Sequence, residues 1–399
     1  MNIYDTALRR HVQWDPPHTT RMYVCGITPY DSAHLGHIFT FMTYDLLQRR
    51  LEDSGREVIM VRNITDVDEP IYKKARELGV SYTELAASET AAFQRVLDQL
   101  HFRTPSHQPL ASNYIHQMAA SVSRLLESGI AYRLSDDIYF DISKDQAYGS
   151  FCGFNERLRI GLLKIRGSDI DIIRPGKRQA QDFILWRGIV DMADPAAWET
   201  PLGRGRPGWH IECSVMASEL LGTPFDLHGG GTDLIFPHHE SEIAQTRAIE
   251  SGEATQLSRH WLHVSPLLYG GEKMSKSLGN LVFAKDLLET YQPAVIRLGL
   301  MHYHYRTGGE WTPELLDQSA DLLHDIYQAL PYATQFQADK FAQEIRSALD
   351  DDLDTHRIVH ELQKLAEIRN LTPNAPQVQQ SDAGDQIIAT LTLIGLIVD

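Results

Sequence analysis

Three cysteines in a chain of 399 residues are too few for a disulfide framework. Cys25, Cys152 and Cys213 fit a reducing cytoplasm, where a special role for a cysteine is metal binding or catalysis. No run of 18 or more apolar residues occurs, so no membrane span is expected. The opening "MNIYDTALRRHVQWD" lacks the apolar stretch of a signal peptide. There is no C-x-x-C pair, the spacing that most often marks zinc. Positive charge is also scarce: 37 Lys and Arg against 53 Asp and Glu leave a net of −16. A protein that wraps nucleic acid needs clustered cations, so this balance argues against that class, although a local basic face can sit inside an acidic total. Internal repeats and low-complexity tracts are missing. What remains is an ordinary globular composition, 43% hydrophobic and 23% charged, long enough for two or three domains around a large core.

Residues 21 to 65 read as strand, helix, strand. "RMYVCG" is a short apolar strand that ends on Cys25. Phe39, Met42, Leu46, Leu47 and Leu51 recur at helical spacing, with Gly55 as a C-cap, and "EVIMVRNIT" is a continuous apolar run suited to a buried parallel strand. The pattern predicts an α/β fold with a doubly wound, Rossmann-like parallel sheet, in which ligands sit at the carboxyl ends of strands. Residues 69 to 135 read as helical and "DDIYFDI" as a strand. Residues 150 to 208 read as irregular, rich in Gly, Arg and Pro. "PFDLHGGGTDLIFPHHESEIAQ" reads as strand, glycine loop and helix, the second half of the sheet. The expected domains are a catalytic domain from 1–108 and 206–280, an inserted connective subdomain over 109–205, and a helical bundle over 281–399.

Two constellations carry chemistry. Cys25, Cys213, His238 and Glu242 make a plausible zinc set, with His238 and Glu242 placed on one helical face. The alternative is two small buried thiols and a solvated helix start. His239 and Glu240 are either partners of the ligands or plain surface. The second constellation is "HLGH" (34–37) and "KMSKS" (273–277). A helix N-terminus binds phosphate, and a glycine lets a nucleotide approach the backbone. The imidazoles can donate to phosphate oxygens, and a lysine loop can close over a triphosphate. The alternatives are a polar helix cap and a soluble loop. Cys152 reads as a core thiol. His302 and His304 read as part of a packed helix start without a metal role.

"HLGH" and "KMSKS" together resemble the paired motifs of class I aminoacyl-tRNA synthetases. "MYVCGITPYD", "VRNITDVDEPI", "GRGRPGWHIECS", "FDLHGGGTDLIFPHHESEIAQ" and "EKMSKSLGN" resemble blocks of the cysteinyl branch, and the likeness covers roughly residues 1 to 370. It implies one zinc ion held by Cys25, Cys213, His238 and Glu242, and ATP with magnesium as substrate. It implies His34, His37, Lys273 and Lys276 as the groups that assist adenylate formation. Thr65 and Trp209 would shape the cysteine pocket, Gly231 and Asp233 would meet the adenylate, and Gly26, Ile27, Thr28, Thr40, Asn63, Thr232 and Leu267 would complete the binding surface. Zinc ligation sorts a thiol from serine's hydroxyl, which a plain pocket rejects poorly.

A second family shares this core: the cysteine ligase of mycothiol biosynthesis, which transfers activated cysteine to the amine of a glucosaminyl-inositol. "CGITPYD", "LGRGRPGWHIEC" and "KSLGNLVF" resemble it equally. "IRGSDIDIIRPGK" (165–177) resembles its acidic Arg-Gly-Gly-Asp-Pro stretch, with Ser168 and Ile170 in place of glycine and proline. Glu242 and the "IAQ" after it resemble the synthetases instead, since the ligases lack that glutamate. The chain ends about where a synthetase's anticodon-reading extension would begin. Residues 331–399 hold 5 basic and 11 acidic residues, a net of −6. The expectation is a cytoplasmic, membrane-free ligase, monomer or homodimer, that acts on L-cysteine and ATP. Its acceptor is an amino sugar, or tRNA(Cys) in the alternative.

Overall fold

In a computed structural model, residues 1–399 are described except 167–171, 173, 251–255, 276–277, 369–381 and 398–399. The centre is a parallel sheet of four strands: β1 (Thr19–Ile27), β2 (Glu57–Ile64), β3 (Phe225–Gly231) and β4 (Ser258–Val264). Their spatial order is β4-β3-β1-β2. The chain leaves β1 toward β2 through helix α1 (Leu35–Asp53), then returns past β1 to place β3 on its other side. Strand order therefore reverses between β1 and β3. A crevice opens there at the carboxyl ends, the position where open α/β sheets bind ligands.

Side-chain alternation divides the sheet into two faces. Met22 and Val24 of β1, Met60 of β2 and Leu262 of β4 pack with Phe39, Met42 and Leu46 of α1 and with the C-terminal helices. Tyr23 and Cys25 of β1, Val61 of β2 and Trp261 of β4 pack on the other face. They meet Ile115, Met118 and Val122 of α2 (Ile115–Glu127) and Ile211 and Met216 of α3 (Trp209–Leu221). The period of two thus sends Cys25 to the α3 side.

Strand β1 runs past Cys25 to Ile27, so Cys25 lies inside the strand and does not end it. The ladder with β2 skips from Val24 to Ile27. Between them the Gly26 amide donates to Asn63 Oδ1 at 2.9 Å, and a Cβ on Gly26 would stand 1.6 Å from the Asn63 carbonyl oxygen. Only glycine fits that approach.

Residues 150–208 are more regular than their composition suggests. Helix Glu156–Arg166 and strand Phe183–Gly188 occur there. That strand sits in an antiparallel sheet between Asp137–Phe140 and Gly205–Pro207, with Ala131–Leu134 at the far side. "FILW" carries the apolar run, but its Arg- and Gly-rich flanks mask it. Helices Pro293–Met301, Glu314–Ala329, Gln335–Asp350, Thr355–Ala366 and Asp382–Leu393 follow the sheet domain. Thr334 and Gln337 form a capping box on the third of these. His302 closes the Pro293–Met301 helix as its C-cap, and so does not sit at a helix start. Among the described residues no helix is long and apolar enough to cross a membrane.

Candidate active site and metal centre

The crevice between β1 and β3 is a cavity of about 410 Å³. Gly26, Ile27 and Thr28 form its floor, His34, His37 and Thr40 one wall, and Gly231, Asp233, Leu267 and Lys273 the opposite wall. His34 is both cap and wall: its Nδ1 accepts from the Gly36 amide at 3.1 Å. Its ring stacks on His37 with centroids 3.8 Å apart. Burial, with help from Lys273, lowers His34 to about 4. Burial and then His34 lower His37 to about 3. Both rings are therefore neutral N–H donors at pH 7. The Nδ1 of His37 is buried and has no protein partner, so the wall presents an unused polar atom beside the cavity.

Lys273 belongs to a hairpin of Leu267–Tyr269 and Glu272–Lys273, turned by Gly270 and Gly271 at φ of 70° and 78°. Its Nζ meets Asp233 Oδ2 on the same wall at 2.7 Å. Lys276 lies outside the described residues. Asn63 and Thr65 sit behind the floor: Asn63 Nδ2 donates to Thr65 Oγ1 at 3.0 Å while Asn63 Oδ1 holds Gly26. Thr232 follows the wall residue Gly231 in a short 3-10 turn.

Cys25 also lines the cavity, and it belongs to a cluster of residues that could hold a metal ion. Cys213 comes from α3, Glu242 from helix α4 (Glu240–Ile249) and His238 from the wide turn 235–239 before it. His238 thus precedes the helix, yet its Nε2 meets Glu242 Oε1 at 3.0 Å, as the four-residue spacing requires. The ligand atoms of Cys25, Cys213, His238 and Glu242 all lie within 4.8 Å of one another, and all four residues are buried. The solvated helix start is thereby excluded. A tetrahedral zinc with bonds of about 2.0–2.3 Å spaces its ligands by roughly 3.3–3.8 Å, so side-chain shifts of well under about 1 Å would seat such an ion among these four.

The electrostatics favour a cation. A hydrogen bond from Cys25 draws Cys213 down to about 6 against burial, aided by His238. Burial opposes charge on Glu242, but His228 and His238 hold it near 2. Burial pushes the Cys25 thiol up. Trp209, the first residue of α3, stacks on the His238 ring at 4.3 Å.

The sequence reading missed most of the support. His210 Nδ1 lies 3.0 Å from His238 Nδ1, which leaves Nε2 facing the cluster. His228 Nε2 holds Glu242 Oε2 at 2.9 Å. His239 Nε2 lies 3.3 Å from Cys25 Sγ, and its Nδ1 lies 2.7 Å from His263 Nε2. Cys25, His228, His239 and Glu242 form a second convergent set. Only the first set brings two sulfurs together, the donors zinc prefers, and the second supplies the hydrogen bonds that orient them. The one signal in the sequence is a histidine inside each of two apolar strands, "FDLH" and "WLHV". Glu240 is neither surface nor ligand support: its carboxylate accepts from the Gly149 and Cys152 amides at 2.7 and 2.8 Å and clasps the inserted segment. Cys152 is buried, with its Sγ 3.5 Å from the Gly149 carbonyl oxygen.

A model of the class I (C) tRNA synthetase catalytic domain matches residues 12–321. The chain belongs to that family. Two curated relatives are named L-cysteine:1D-myo-inositol 2-amino-2-deoxy-alpha-D-glucopyranoside ligase. The one from Thermobispora bispora is 39% identical over 89% of this chain and 86% of its own length. The one from Nakamurella multipartita is 40% identical over 94% of this chain and 92% of its own. Among solved structures, Mycobacterium tuberculosis methionyl-tRNA synthetase in complex with methionyl-adenylate matches with a TM-score of 0.64 at 16% identity, over 94% of this chain and 89% of that one. That likeness establishes the class I fold. Within the family this chain is an enzyme of the ligase type.

Proposed function

We propose that this ligase activates L-cysteine with ATP at a zinc centre and passes the cysteinyl group to the amine of an amino sugar, glucosaminyl-inositol. One observation supports the reading most: Cys25 belongs both to the metal-ligating cluster and to the wall of the cavity that carries His34, His37 and Lys273. The names of the relatives point to the acceptor. In the first step the cysteine carboxylate attacks the α-phosphorus of magnesium ATP, forms the cysteinyl-adenylate and releases pyrophosphate. The acceptor amine then attacks the carbonyl carbon and expels AMP, leaving an amide.

Zinc held by Cys25, Cys213, His238 and Glu242 would bind the substrate's sulfur and select it over serine's hydroxyl. His34 and His37, both neutral donors, hydrogen-bond the phosphate oxygens as charge develops. Lys273 neutralises the leaving pyrophosphate, with Lys276 in the same role. Gly231, Thr232 and Asp233 bind the adenylate, and Gly26, Ile27, Thr28, Thr40 and Leu267 seat the nucleotide and the cysteine backbone. Asn63 fixes Gly26, while Thr65 and Trp209 bound the cysteine side. The cytoplasm, which supplies ATP and reduced cysteine, is the compartment this chemistry needs.

The test is a transfer assay. Enzyme with labelled cysteine and ATP is offered glucosaminyl-inositol in one tube and total tRNA in another. Label on the amino sugar is expected. Label on tRNA alone would overturn the acceptor and favour tRNA(Cys).

A further inference from the structure

We propose that Thr6, far in sequence from every ligand, is a positioning residue for the metal centre: through His263 and His239 it fixes the hydrogen bond that reaches Cys25 Sγ. The inference rests on the zinc reading above.

Three contacts dock the turn after the first strand, Asn2–Asp5, onto β4, and two more hold the turn itself. Asp5 is buried, and its Oδ1 accepts from the Ala7 and Leu8 amides at 2.8 and 3.2 Å. Its Oδ2 meets His260 Nδ1 at 2.8 Å. The Thr6 amide donates to the Trp261 carbonyl at 2.8 Å. Thr6 Oγ1 then lies 2.9 Å from His263 Nδ1. From His263 Nε2 the line continues to His239 Nδ1 at 2.7 Å, and from His239 Nε2 to Cys25 Sγ at 3.3 Å. It joins the half-buried Thr6 to a ligand sulfur through two buried rings.

A metal thiolate has no proton to give, so the bond to Cys25 must be donated by His239 Nε2–H. With one proton on each ring, His239 Nδ1 is then an acceptor, His263 Nε2–H its donor, and His263 Nδ1 an acceptor in turn. The last donor in the line is the Thr6 hydroxyl. Without it, His263 Nδ1 loses its partner, the ring is free to move its proton to Nδ1, and the bond to sulfur loses its fixed direction. Partners of ligands typically govern roughly 10- to 100-fold of metal affinity.

Zinc content and zinc affinity, by competition with a chromophoric chelator, are measured for wild type, Thr6→Val and Thr6→Ser. Wild type should hold one zinc per chain. Thr6→Val should bind about 10-fold more weakly, and Thr6→Ser should restore the affinity. With cobalt in place of zinc, the sulfur-to-metal charge-transfer band should shift in Thr6→Val and return in Thr6→Ser. Nitrogen-15 NMR of the wild type should find both rings as Nε2–H tautomers, a readout that needs no variant to fold. Wild-type affinity and band in Thr6→Val would overturn the proposal, as would an Nδ1–H tautomer on either ring of the loaded protein. A wild type that binds no zinc would overturn the zinc reading itself, a separate result.

Discussion

Two clusters of buried charge lie on opposite faces of the same sheet, and they are built on different principles. Under the α1 face, Asp45 meets Arg297 at 2.6 Å and Arg49 at 2.9 Å. Arg297 also donates to the carbonyls of Leu100 and Ile394, and Asp45 accepts from the Arg103 amide. Apart from Arg297 Nε, its charged groups meet their partners within the protein, and it joins α1 to the C-terminal helices. On the α3 face, two thiols, a carboxylate and a ring of imidazoles converge, with the ligand atoms of Cys25, Cys213, His238 and Glu242 all within 4.8 Å of one another. Opposite charges paired at contact distance tie elements of the fold together. Converging thiol, imidazole and carboxylate atoms make a candidate ion site.

The comparison breaks first if Cys25→Ser is harmless. Replacing the sulfur should remove zinc and lower cysteine-dependent exchange of pyrophosphate into ATP by roughly three orders of magnitude, with the fold intact. Metal analysis and the exchange assay check this. Exchange at the wild-type rate would mean the cluster is structural after all.

On the other face the prediction is reversed. Asp45→Asn leaves two buried guanidiniums without their counterion and should cost about 3–5 kcal/mol of stability. Urea unfolding measures the loss, and exchange per folded molecule should stay within about threefold because the residue is remote from the cavity. A large fall in exchange with unchanged stability would make Asp45 part of the site.

Much of this was legible in the sequence because it is local. Apolar spacing in "FTFMTYDLLQRRL" gave the helix that His34 caps and His37 opens, and the likeness of five blocks to one family brought together candidate ligands 217 residues apart. What escaped depends on which strands become neighbours. His228 and His263 sit on strands whose pairing no spacing reveals, and Thr6 joins them only because its turn docks on β4. Strand Phe183–Gly188 escaped because its own apolar run is shorter than its polar flanks.

Acid sharpens the contrast. His34 and His37 titrate near 4 and 3 in the folded chain, below their ordinary value of 6.5. The unfolded chain takes up these protons below about 6.5 while the folded chain refuses them, so stability is lost as pH falls through that window. Each such imidazole contributes a slope of up to about 1.4 kcal/mol per pH unit. Glu242 and Asp45 are held below their ordinary values, so their loss begins only at lower pH. Urea midpoints of the metal-free protein between pH 7 and 5 therefore read the buried imidazoles together with Cys213, which is drawn down to about 6. His37→Asn should flatten that slope, and an unchanged slope would place His37 in solvent.

The smallest effect is expected where the two principles meet. Lys273 and Asp233 form an ion pair at 2.7 Å, but their side chains are 51% and 44% exposed at the mouth of the cavity. An exposed pair contributes about 0.2–1 kcal/mol at most, because water screens it and two flexible chains must be ordered. A double-mutant cycle of Lys273→Met and Asp233→Asn should return a coupling in that range for unfolding and a far larger penalty on the KM for ATP. The reason is geometric: both groups line the cavity proposed for the nucleotide, so they would part to meet it, and a strong mutual bond would oppose binding. A coupling near that of a buried pair, with KM unmoved, would assign Lys273 to the fold and leave His34 and His37 as the only described side chains that meet the phosphates.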